Sequence, residues 1–69
     1  MTDAVDAAAA ATNQDPRVGL RAVAALRQLV ERLEALQVDR ARCCGWSWEE
    51  IGTALGVSRQ AVHKKHGRR

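Results

Sequence analysis

Apolar and polar residues follow a helical period through the middle of this chain. At 100° per residue, the stretch 15–45 puts Val18, Ala22, Val23, Leu26, Leu29, Val30, Leu33, Leu36, Ala41 and Cys44 on one face. Arg21, Arg27, Glu31, Arg32, Asp39 and Arg42 fall on the other, and only Leu20, Val38 and Arg40 run against the trend. A stripe sustained for about seven turns predicts one amphipathic helix about 42 Å long. Asp15-Pro16 marks its start, since Asp caps free backbone N–H groups and Pro fits the first helical position. Gly45 marks its end.

The pattern then shortens. Ser47 and Glu50 have capping-box spacing, and Trp46 and Ile51 stand where a hydrophobic staple needs them, so a second helix begins after Ser47 and runs to Leu55. Gly56 breaks it where a left-handed backbone is needed. Ser58 caps a third helix, Arg59 to His66, which stops at Gly67. Before all of this, residues 1–14 are Ala, Asp, Thr, Asn and Gln with a single Val. They are expected to form a mobile tail, helical at most in part through the Ala run and without an apolar face to dock. The expectation is therefore an all-α protein with a disordered tail at 1–14, a long helix at 15–45 and a helical pair at 46–69.

Composition sharpens this picture. The chain has 69 residues, no Phe and no Tyr. An apolar content of mostly Ala, Leu and Val favours helices over strands. A domain this short buries only about 60% of its unfolded surface and often relies on a partner subunit. The net charge of +3 is unevenly spread: residues 1–15 carry Asp3, Asp6 and Asp15 with no cation, whereas residues 59–69 carry Arg59, Lys64, Lys65, Arg68 and Arg69 with no acid. A basic end on a small chain is the footprint of a nucleic-acid binder, although a solvated tail has the same charge. Adjacent Cys43 and Cys44 make no disulfide framework and suit a reducing compartment. Neither a signal peptide nor an apolar span of about 20 residues is present, so a cytoplasmic protein without membrane contact is expected.

The stretch from Ser47 to Val62 resembles the helix-turn-helix pattern xxxIAxxLGVSxxxV. It is similar in this to small bacterial helix-turn-helix regulators and to the promoter-reading module of sigma factors. The resemblance covers about 20 residues. It implies that Ile51, Leu55, Val57 and Val62 form the core between the two short helices, with Gly52 at their close crossing, Gly56 in the turn and Ser58 as cap. In that family the second short helix enters the major groove. Carried over, Arg59, Gln60, His63 and Lys64 are the candidate base contacts, and Ser58, Lys65, Arg68 and Arg69 the candidate phosphate contacts. The family usually has an apolar or aromatic residue where this chain has Lys65 and His66, which predicts a loosely packed or frayed helix end.

Other chemistry is weaker. His63 and His66 with Cys43 and Cys44 lack the paired spacing of a structural zinc site, so neither metal nor cofactor is expected. Cys44 is expected to be a small core residue, and Trp46 and Trp48 to pack around a helix start rather than stack on single-stranded bases. No nucleophile–base pair or phosphate loop points to an enzyme. The stripe's C-terminal part, Leu33, Leu36, Ala41 and Cys44, is expected to cover the helical pair. The surplus at Val18, Ala22, Leu26 and Leu29 predicts a homodimer interface. The function expected is sequence-specific double-stranded DNA binding in transcription regulation, on the nucleoid. The alternative is an interaction module that docks its long helix on polymerase or a larger regulator.

Overall fold

The computed structural model describes residues 2–67, and all regular structure among them is helical: α1 (Thr2–Ala10), α2 (Pro16–Cys43), α3 (Trp48–Leu55) and α4 (Arg59–His66). These residues form two compact units, divided between Leu33 and Glu34.

In the first unit, residues 2–10 are helical where the sequence suggested a tail. Ala has the highest helix propensity of any residue. The same Ala run also has the face it was expected to lack: Ala4, Ala7, Ala10 and Ala11 are half-buried. Ala4 and Ala7 share a shallow groove with Ala25, Leu26 and Leu29 of α2. The start of α2 is built as its sequence implies, with Asp15 Oδ1 accepting from the Arg17 N–H at 3.0 Å. Ala22 is 8% exposed and Leu26 and Leu29 are half-buried, whereas Val18, Val23, Val30 and Leu33 are exposed.

The second unit owes its corners to two glycines. Gly45 (φ 84°) and Gly56 (φ 75°) are the positive-φ residues among those described. At the end of α2, Trp46 N–H donates to Ala41 O and Gly45 N–H to Arg42 O, both at 3.0 Å. At the end of α3, Val57 N–H donates to Gly52 O (2.9 Å) and Gly56 N–H to Thr53 O (3.2 Å). Both are Schellman closures, which satisfy terminal carbonyls by letting one residue turn left-handed. The α3 start carries its capping box complete: Ser47 N–H donates to Glu50 Oε1 at 2.8 Å, and Glu50 N–H to Ser47 Oγ at 3.1 Å. Helices α3 and α4 pack on each other. Their crossing is close at Gly52, where a Cβ would lie 2.8 Å from Val57 O.

The core of this unit is small: Val38 from α2, Ile51 from α3 and Val62 from α4, with Ala41 and Trp48 packed against them. It corrects the sequence reading in four places. Val38, which ran against the stripe, is 3% exposed, while Leu33 and Leu36 of the stripe are 49% and 44% exposed. Cys44 is exposed rather than core. Leu55 and Val57 are also exposed, leaving Ile51 and Val62 as the buried pair between the short helices. The physical reason is rotational. Glu34, Val38 and Ala41 are spaced i, i+4, i+7 and share one side of α2. Glu34 is ion-paired to α4, so that side of α2, and not the centre of its apolar stripe, meets the helical pair. Trp46 is likewise exposed, though it shares a groove of about 350 Å³ with Ile51, Val38 and Leu55.

Candidate nucleic-acid interface

The site is built on α4. Ser58 Oγ accepts from Ala61 N–H at 3.0 Å and starts the helix. Val62 and His66, four apart, face inward and are buried. The helical period then puts Gln60 and Lys64 at the centre of the outward face, Arg59 and His63 on one flank, and Lys65 on the other. Arg59, Gln60, His63 and Lys64 are all exposed, as is Ser58. No acid occurs in α4. The four residues named as base contacts are therefore all exposed, two at the centre of the outward face and two on its flank, while Arg68 and Arg69 lie outside the described residues.

The two flanks are held differently. On the first, the His63 ring meets the Trp48 ring edge-on, with centroids 5.2 Å apart and planes at 69°. The Arg42 guanidinium lies over the same Trp48 ring, 4.6 Å from its centroid, and its Nη1 donates to Trp46 O at 2.8 Å. On the second flank, Glu34 Oε2 accepts from Lys65 Nζ at 3.0 Å and from His66 Nε2 at 2.7 Å. The carboxylate fixes the proton of His66 on Nε2, because Glu34 offers only an acceptor. Hydrogen bonds from His66 and then Lys65 hold the Glu34 carboxyl below the usual carboxylate range, against a smaller opposing effect of burial. Glu50 is likewise held low, first by the Ser47 N–H and then by its hydroxyl.

This second flank changes the reading of the helix end. His66 is 7% exposed and tied to α2, so the end of α4 is packed where fraying was expected. Lys65, named as a phosphate contact, already holds an ion pair with Glu34. Sequence reasoning missed Glu34, Arg42 and Trp48 because their partners lie 32, 6 and 15 residues away, outside any helical repeat.

Among the described residues, no group of three or more His, Cys, Asp or Glu side chains is placed to hold a metal ion. The histidines are engaged elsewhere, His63 with Trp48 and His66 with Glu34, and both cysteines are free and exposed. No helix among these residues is long and apolar enough to cross a membrane. No protein-family model, no curated protein and no solved structure matches the chain.

Proposed function

We propose that this chain binds double-stranded DNA in a sequence-specific way and regulates transcription, with α3, the Gly56 turn and α4 acting as a helix-turn-helix. The observation that carries the reading is the acid-free exposed surface of α4, where Gln60 and Lys64 stand opposite buried Val62 and His66 and exposed Arg59 and His63 form one flank. A capped helix with such a face fits the major groove. There Gln60 suits adenine, and Arg59 and Lys64 suit guanine. Ser58, Arg68 and Arg69 hold phosphates in this reading, and Lys65 joins them by exchanging Glu34 for a phosphate oxygen.

One recognition helix reads only a few base pairs, so the proposal includes a homodimer that spans two half-sites about 34 Å apart. The sequence pointed to Val18, Ala22, Leu26 and Leu29 as its seam. Ala22 is buried and Leu26 and Leu29 half-buried, so the exposed Val18, Val23, Val30 and Leu33 are the larger part of what α2 offers a second copy. The same exposure favours a second reading, a module that docks α2 on another transcription protein. Binding of the purified protein to duplex DNA, followed against salt, separates the two. The DNA reading requires an affinity that falls steeply with salt, and a Gln60→Ala variant that loses discrimination at one base position. Absence of duplex binding by a folded protein overturns it in favour of the docking module. Sedimentation equilibrium tests the dimer, and a monomer that still binds its site specifically would refute that part.

A further inference from the structure

The arginine stacked at the corner between α2 and α3 is not used by the reading above. We propose that Arg42 is a phosphate-binding residue, which extends the DNA interface from α4 across Trp48 to the end of α2. The inference rests on the DNA reading and adds to it a contact from outside the helical pair.

Three observations lead to it. First, Arg42 is exposed but not loose: its guanidinium lies on the Trp48 ring and one of its N–H groups is given to the Trp46 carbonyl. A guanidinium has five N–H donors in a planar fork, so most of them remain free for an incoming oxyanion. A long side chain pinned in place has already lost the freedom that binding would take from it. Second, the stack is continuous with the reading face. The same Trp48 ring makes a T-shaped contact with His63, and Arg59 lies one turn before His63 on the same side of α4. Arg42 and His63 thus meet on a single indole, and Arg59 continues their line one turn back along α4. Third, of the two acids in α3's first turn, Glu50 is turned onto Ser47 N–H, which leaves the exposed Glu49 as the opposing charge there. On the other flank Lys65 is bound to Glu34, so Arg42 is the freer cation of the two.

A purely structural Arg42 would clamp the α2–α3 corner and do nothing to DNA. The two roles separate in the salt dependence. A phosphate contact is independent of sequence, so a mixed-sequence duplex of about two helical turns is a sufficient probe. Its affinity for the full chain and for Arg42→Gln and Arg42→Lys is measured across a salt series, with a thermal melt of each protein alongside. Arg42→Gln is expected to weaken binding several-fold at low salt and to reduce the slope of log K against log salt by about one. Arg42→Lys, which keeps the charge, is expected to retain that slope while losing part of the affinity with the fork geometry. An unchanged slope in Arg42→Gln, with the unsubstituted protein binding the duplex, overturns the assignment and leaves Arg42 as a clamp. If the unsubstituted protein binds no duplex at all, the DNA reading fails and takes this inference with it.

Discussion

Gly52 offers the sharpest test of how α3 and α4 are joined. A methyl group placed there would lie 2.8 Å from Val57 O, 3.2 Å from Arg59 N and 3.2 Å from the Ser58 carbonyl carbon, where ordinary contact begins at 3.4 Å. The worst overlap is thus about 0.6 Å, and each obstructing atom is backbone of the turn and the α4 start. No side chain can swing aside, so relief requires moving α4 relative to α3 and opening the Val38–Ile51–Val62 core. Overpacking of this kind costs about 1–3 kcal/mol. Against it, Gly→Ala in a helix interior gains about 1 kcal/mol in propensity. With rigid neighbours the upper part of the range applies, and Gly52→Ala should destabilise by about 1–2 kcal/mol. For a domain of this size that lowers Tm by roughly 5–15 °C. Circular dichroism at 222 nm through a thermal melt measures it. Gly56 supplies the control: a Cβ there meets nothing within 4 Å, and the constraint is its φ of 75°. Asn tolerates that conformation. Gly56→Asn should therefore be milder than Gly56→Ala, while Gly52→Asn should be worse than Gly52→Ala. A Gly52→Ala protein as stable as the parent, or more so, would refute the close crossing.

The other predictions concern α2 and the caps. Val38→Ala should cost about 1–2 kcal/mol, because Val38 is 3% exposed, whereas Leu36→Gln, at a site 44% exposed, should stay within about 0.5 kcal/mol; the reverse order in urea melts would restore the centre of the apolar stripe as the core face. Glu34 has a folded-state pKa below its ordinary value, so its contribution is present above about pH 4.5 and is lost as pH falls through the lower folded value. Glu34→Gln should therefore destabilise the protein at neutral pH and flatten the acid limb of a Tm–pH profile; a parallel profile would show that the cluster with Lys65 and His66 adds no stability. Ser47→Ala removes one half of the capping box and should cost about 1 kcal/mol, read as a lower thermal midpoint.

The amino-acid sequence determined by itself whatever depends on neighbours a few residues apart. The capping box at Ser47 and Glu50, the Ser58 cap, the start at Asp15-Pro16 and the left-handed turns at Gly45 and Gly56 are local hydrogen-bonding problems with local solutions. So is the period that makes 16–43 one helix, and so is the outward set Gln60, His63 and Lys64, with Arg59 on its flank, once Val62 is placed inward. What only the tertiary structure decided is the rotation of α2 about its axis. A broad apolar stripe specifies that a helix is amphipathic, but not which edge of the stripe meets a seat made of two short helices. Three small core residues leave little area to choose an orientation. The ion pair from Glu34 to Lys65 and its hydrogen bond with His66 act on that choice from the far end of α4. The stack of Arg42 on Trp48 was hidden for the same reason. Its partners are neighbours only after Gly45 has turned the chain, and nothing in their spacing announces that they meet.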